Sequence, residues 1–333
     1  MSTPAGTVSA MPSHVLCVAL NPAIDQTIEL SGLTPGAVNR ATHAQQDAGG
    51  KGVNVASCLA DHGAATAVIA LLGRENPALF DSLFNAKRIA SHSLYLDGST
   101  RINIKLVDTL ARETTDINLP GPQLDSAQIE ACIKQILQLV SDMASSLKWL
   151  VLSGSIPPAW PADTYARLVR HAHGVGVSVL LDTSGAPLGA ALAAGPDIVK
   201  PNRDELAAYL GRALGDHAAT LAAARELLAQ HRGIARLVVS MGSEGALFVT
   251  RNEAVLAHPL KVTVSSSVGA GDAMVAGLIA AELDGLSLAD SARLATAFAA
   301  GKLSRLGPHL PAAAEVQALA QQVVLAQLNE AAQ

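Results

Sequence analysis

Charged side chains are scarce in this sequence, aromatic ones scarcer still, and there are only three cysteines. Asp, Glu, Lys and Arg make up 15% of the 333 residues, and the net charge is −5 with no basic run. A chain built to hold nucleic acid carries a stripe of lysine and arginine, so nucleic acid is excluded as the main partner. No uninterrupted apolar stretch reaches the roughly 18 residues of a membrane span. The segment 268–283 is interrupted by glycines, Asp272 and Glu282 and reads as a buried helix, so no membrane association is expected. Cys17, Cys58 and Cys132 lie far apart in apolar settings, which points to reduced core thiols and away from a disulfide framework. The histidines show no ligand spacing beyond the pair His171 and His173, so zinc is not expected. Residues 1–14 are small, polar and proline-containing, without the charged start and apolar stretch of a signal peptide, and read as a loose tail on a cytoplasmic protein.

Half of the residues are hydrophobic, which is enough for a large core. Apolar runs bounded by turn residues recur at Val15–Leu20, Thr66–Leu72, Leu147–Leu152, Val177–Leu181, Ile198–Val199 and Arg236–Ser240. Helical patterns separate or follow them at Val53–His62, Pro77–Ile89, Ser126–Ser146, Ala162–His173, Asn202–Leu210, Leu221–Gln230, Asp272–Leu283, Ala289–Leu303 and Ala312–Asn329. Strands alternating with helices predict an α/β chain whose mostly parallel sheet is covered on both faces, with ligands beyond the carboxyl ends of the strands. One α/β domain over 15–333 accommodates the pattern. Two insertions break the rhythm. Gln26–Leu30 with Val38–Ala44, and Ser93–Asp108 with Thr114–Leu119, alternate polar and apolar residues as one-sided antiparallel strands do, and predict a small lid at about 26–44 and 93–119. Arg101, Asn103 and Lys105 share one face of it and Ile102, Ile104 and Leu106 the other, which suits a cover over an anionic ligand; a solvated edge strand is the plainer alternative.

The most informative stretch is Val264-Ser265-Ser266-Ser267-Val268-Gly269-Ala270-Gly271-Asp272-Ala273-Met274, a glycine turn opening a long apolar helix. Gly269 and Gly271 leave the backbone bare, so leading amides converge on a phosphate. Asp272 sits in the first turn, where the helix dipole favours a carboxylate that can accept an alcohol proton. Asn21-Pro22-Ala23-Ile24-Asp25 follows the first strand with groups suited to polyol hydroxyls, although Asp25 equally suits a turn cap. Gly49-Gly50-Lys51-Gly52-Val53-Asn54 starts a helix but is not a Walker A loop, since Gly52 stands where Ser or Thr would follow the lysine. Close backbone approach to a small polar ligand fits it better. Ser153-Gly154-Ser155 ends another strand in hydroxyls. Asn202 and Glu205 have capping-box spacing, and the same pair suits the ordering of water around Mg2+. Ser240-Met241-Gly242-Ser243-Glu244-Gly245 is either a plain hairpin or a floor beneath a nucleotide.

Taken in this order from about Val15 to Leu310, these stretches resemble the ribokinase-like sugar kinases, specifically their phosphofructokinase B branch. Within the branch, Asn21-Pro22-Ala23-Ile24-Asp25, Val38-Asn39-Arg40, Thr100 to Lys105 and Thr115-Asp116-Ile117-Asn118 are most similar to the kinases of fructose 1-phosphate. The resemblance implies a three-layer ribokinase-like sandwich with a small β-sheet lid, ATP and Mg2+ as cofactors, and fructose 1,6-bisphosphate as product. Kinases of tagatose 6-phosphate or fructose 6-phosphate are the alternatives, and a silent sugar-phosphate sensor is the remote one. It further implies that Asp272 is the base and that Gly269, Ala270 and Gly271 form the anion hole. Asp25, Gly49, Gly50, Lys51, Asn54, Arg101, Asn103, Lys105 and Ser155 would hold the sugar phosphate. Asn202, Ser240, Gly242 and Gly245 would meet the nucleotide, with Asn202 and Glu205 reaching the metal through water. Ala273, where the branch commonly has serine, and Gly301 to Gly307 depart from the pattern. A one-sided lid is marginal alone, so a homodimer with lids packed together is expected.

Overall fold

A computed structural model describes residues 13–264, 268–305 and 307–328; the tail at 1–12, Ser265–Ser267, Leu306 and the chain from Asn329 on lie outside the described residues. The central sheet has 11 strands. Its parallel part is ordered Arg236–Ser240, Ile198–Val199, Ser178–Asp182, Trp149–Ser153, Val15–Ala19 and Thr66–Gly73, with Ala90–Ser91 and Leu94–Leu96 both pairing with Thr66–Gly73. Beyond Arg236–Ser240 the sheet turns antiparallel through Ala246–Val249, Ala254–Ala257 and Leu325–Gln327.

Alternation along the first strand shows how three layers arise. Val15 and Cys17 face a core built with helices Lys51–Asp61, Ala78–Lys87, Ala270–Leu283 and Leu288–Leu303, whereas Leu16 and Val18 face a second core with Ser126–Met143, Thr164–Gly174 and His217–Gln230. Both faces of each central strand are therefore apolar, as a doubly covered parallel sheet requires. Helix ends are set locally. Asp125 and Gln128 form a reciprocal capping box at the start of Ser126–Met143, and Gly211 in the left-handed region closes Arg203–Leu210. Ala270–Leu283 is buried on nearly every side, and Gly277 lets it approach the backbone of Ala295 where a Cβ would stand 2.6 Å from that Cα. All three cysteines are buried and unpaired. Among the described residues no helix is long and apolar enough to cross a membrane.

A second sheet of four strands stands apart. Ala23–Leu30 pairs antiparallel with Ala41–Gly49 and parallel with Ile102–Asp108, which pairs antiparallel with Glu113–Asn118. The expected small second sheet thus forms, with two corrections. Leu94–Leu96 leaves it and joins the central sheet, because its apolar alternation fits the edge beside Leu71 and Gly73. The seam between the two hairpins is parallel, since both enter the lid from strands running the same way. Three further differences concern the chain's second half. The helix Gly185–Leu192 was hidden by its glycines and Pro187. Ala246–Val249 completes with Arg236–Ser240 the hairpin suggested around the 239–245 turn, whereas Ala254–Ala257 is a strand too short and too uniformly apolar to show a period. The expected helix at 312–329 covers Ala313–Gln322 and gives way at Val323 to the strand Leu325–Gln327.

Candidate active site

Strand ends at the carboxyl edge, the lid and the head of Ala270–Leu283 enclose a cleft of about 550 Å³. Asp25, Gly50, Lys51, Asn54, Arg101, Asn103, Lys105, Ser155, Asn202, Glu205, Ser240 and the run from Gly269 to Asp272 all line it. Residues more than two hundred positions apart in sequence meet because most of them follow a parallel strand or head a helix at one edge of the sheet, and the second sheet brings Asp25, Asn103 and Lys105 over that edge.

Gly269 has φ +82°, a conformation that a side chain strains, and it turns the chain into the helix so that the leading amides face the cleft. Asp272 follows in the first turn and is only 6% exposed. Burial pushes its carboxyl up to about 6, reinforced by the Asp182 carboxylate and opposed by the hydrogen bond from Asn54 and by Lys51 and Lys200. The Asn54 amide donates to Asp272 Oδ2 at 2.8 Å. A carboxylate that titrates near neutrality and lies beside an anion-binding turn is equipped to take a proton from an alcohol.

Behind it lies an ion cluster around the buried Asp182 and Lys200, with Lys51 partly exposed. Lys200 Nζ stands 3.1 Å from Asp182 Oδ1 and Lys51 Nζ 3.6 Å from Oδ2, while the Ser153 hydroxyl donates to Oδ2 at 3.2 Å. Burial alone would push the Asp182 carboxyl up, but the two ammonium groups win and hold it below the usual carboxylate range. Lys51 is likewise penalised by burial, yet Asp182, Asp272 and Glu205 keep it charged more firmly than usual. Asp182 thus holds both ammonium groups at the edge of the cleft, where Lys51 and Lys200 also line it.

The lid supplies the opposite wall. Asn103 donates to Asp25 Oδ1 at 2.9 Å, and Arg101 donates to Asn103 Oδ1 at 2.7 Å and to the Asn21 carbonyl at 3.1 Å. The Arg101 Nε is buried with no hydrogen-bond partner among the described residues. Burial pulls the Arg101 guanidinium down and the Asp25 carboxylate opposes this; burial raises the Asp25 carboxyl against Asn103, Arg101 and Lys105. Lys105 Nζ lies 3.1 Å from the Asp116 carboxylate on the neighbouring strand. Asn21 donates to Ser155 Oγ at 3.0 Å. Gly49 lies outside the cleft and has a packing reason to be glycine, because a Cβ there would collide with the Asp25 carboxylate.

Asn202 and Glu205 do form a capping box, with the Asn202 amide N–H on Glu205 Oε2 at 2.8 Å and the Glu205 amide N–H on Asn202 Oδ1 at 2.7 Å. Both residues line the cleft, and among the described residues Asn202 Nδ2 and Glu205 Oε1 take no part in the capping box. Gly242 opens a short 3-10 turn and Gly245 presses on the Ala257 carbonyl; neither reaches the cleft, whereas Ser240 does. The sequence reading missed Asp182 and Lys200. Each is a single charged residue ending an apolar strand, which is the one signal that pointed to them.

Fold and site together fit a small-molecule kinase: a glycine-headed helix, a buried carboxylate and a polar second sheet around one cleft. Residues 18–314 match the pfkB family of carbohydrate kinases, and the chain belongs to that family. A 1-phosphofructokinase of Xanthomonas campestris pv. campestris is 51% identical over 88% of this chain and 92% of its own length. Another, of Rhodobacter capsulatus, is 48% identical over 95% and 98%. Phosphofructokinase-2 of Escherichia coli, solved in complex with fructose-6-phosphate, superimposes with a TM-score of 0.83 at 27% identity over 93% of this chain and 99% of that one. Kinases of this family use ATP.

Proposed function

We propose that the chain transfers the γ-phosphoryl group of ATP to fructose 1-phosphate, giving fructose 1,6-bisphosphate. The observation that carries this reading is the pairing, across one cleft, of a buried Asp272 at a glycine-headed helix start with an Arg101 whose buried Nε has no hydrogen-bond partner among the described residues. The acceptor's own phosphate meets Arg101, with Lys105 and Ser155 beside it; Asp25 and Asn54 take ring hydroxyls. Asp272 accepts the proton of the attacking hydroxyl. The amides from Gly269 to Asp272, with Lys51 and Lys200 behind them, stabilise the charge on the transferring group. Binding two anions in one cleft costs repulsion, and these fixed cations offset it without rearranging during the reaction.

Mg2+ fits as a guest of the nucleotide. Among the described residues no cluster of three ligating side chains exists, but Glu205 lines the cleft with Oε1 outside the capping box, an acceptor for water on a phosphate-borne ion, and Asn202 orients that carboxylate. When bound, it neutralises nucleotide phosphate charge. The reading places the enzyme in the cytoplasm, as a homodimer whose lids pack through the apolar face carrying Ile28, Ile104, Leu106 and Ile117, the last 44% exposed.

The fructose-6-phosphate complex of the Escherichia coli neighbour favours a second reading in which the acceptor is fructose 6-phosphate. A coupled assay separates them. The first reading expects kcat/KM for fructose 1-phosphate to exceed that for fructose 6-phosphate and tagatose 6-phosphate by at least about tenfold, and a preference for either of the others overturns it.

A further inference from the structure

Lys302 lies in the last turn of Leu288–Leu303, within the 301–307 segment that departs from the family pattern. A lysine there ordinarily reaches back to terminal carbonyls and keeps its ammonium in water. The reach is present, since Nζ donates to the Arg305 carbonyl at 3.2 Å. The water is not. Lys302 is 3% exposed, and Arg305 is its one hydrogen-bond acceptor, with no carboxylate within ion-pair distance among the described residues. Its situation differs from that of Lys200, equally buried but 3.1 Å from Asp182. An ammonium so placed costs stability that its single hydrogen bond does not offset.

Its position supplies a reason for keeping it. A Cβ on Gly269 would stand 3.2 Å from Lys302 Cε, 3.8 Å from Asp272 Oδ2 and 3.9 Å from Asn54 Nδ2. Cation, base and the amide that orients the base therefore converge on one glycine, the one whose left-handed conformation starts the anion hole. Lys302 also lines a cavity of about 460 Å³ under the lid that continues the cleft through Asp25, Asn54, Lys105 and Val268. Burial lowers its pKa, and the groups facing it, the Cys58 thiol and the Asp272 and Asp47 carboxylates, oppose that.

We infer that Lys302 is a positioning residue for phosphoryl transfer, acting through the Gly269–Asp272 turn: its stem props the glycine turn and its buried charge adds to the field of the helix-head amides. This rests on the reading of the site as a kinase centre, and not on which phosphosugar is accepted. The test compares Lys302→Met and Lys302→Gln with the wild type on whichever phosphosugar the wild type turns over, so failure with fructose 1-phosphate tells against the substrate alone. The expected result pairs two opposite changes. The kcat falls at least about tenfold while KM for the phosphosugar stays within about threefold, and the Tm of Lys302→Met equals or exceeds that of the wild type because a lone buried charge has gone. Wild-type kcat in either folded variant overturns the inference. So does a lowered Tm or failure to fold in both, which assigns Lys302 to the fold.

Discussion

The Asn54 amide donates to Asp272 Oδ2 at 2.8 Å, joining the second sugar-side motif to the glycine turn across 218 positions of sequence. This bond stabilises the ionised carboxylate against burial and against Asp182, so on the proposed reading of Asp272 as the base it helps set the pH at which that base becomes competent.

Because burial holds the Asp272 carboxyl up at about 6, kcat/KM should fall on the acid side with a midpoint near that value. Replacing Asn54 by Leu removes the donor and should move that limb upward. The shift is read from the pH profile of kcat/KM with saturating ATP. A profile flat down to about pH 5 contradicts the assignment of Asp272 as the base.

The same raised value has a consequence for stability. The fold prefers the protonated form, so the contribution of Asp272 to stability is present at low pH and lost as pH rises through about 6. Asp272→Asn should therefore raise Tm at about pH 8 and leave it nearly unchanged at about pH 4. Thermal unfolding at the two pH values checks the sign; a lower Tm at the higher pH contradicts it.

Asp182 is 1% exposed and neutralises Lys200 and part of Lys51. Breaking a buried pair by removing one partner costs about 3–5 kcal/mol, so Asp182→Asn should be strongly destabilised in denaturant titrations. A midpoint within the error of the wild type would mean that the lysines find other partners.

Arg101→Ala should raise KM for fructose 1-phosphate about ten- to a hundredfold and leave KM for ATP nearly unchanged, since a charged hydrogen bond is worth about 1.5–3 kcal/mol. Arg101→Lys should recover only part, because an ammonium lacks the planar paired donors. An unchanged KM in Arg101→Ala returns the lid to an ordinary edge sheet.

How much of this was legible in the sequence depends on how local each feature is. The turn Gly269–Asp272, the capping box of Asn202 and Glu205, and the polar face of Arg101, Asn103 and Lys105 are written in consecutive or periodic residues, and each lies on the cleft. The parallel-strand spans Val15–Ala19, Thr66–Gly73, Ser178–Asp182, Ile198–Val199 and Arg236–Ser240 fall on or within one residue of their expected ends. Asp182 and Lys200 stayed hidden because their meaning comes from partners brought by other strand ends. The parallel seam of the lid was hidden for the same reason: Asp25 opposite Asn103 is a contact that no local period encodes. Gly49 and Gly245, grouped with ligand-binding glycines, owe their identity to crowding against Asp25 and Ala257.

The most direct measurement is turnover by Asp272→Asn alongside its affinity for fructose 1-phosphate. The amide keeps the shape of the carboxylate and cannot take the proton. The account expects kcat to fall about 10²–10⁴-fold, with fructose 1-phosphate still bound within about threefold of the wild-type Kd. A variant that binds and turns over like the wild type would make Asp272 an ordinary helix-start residue and would contradict the mechanism.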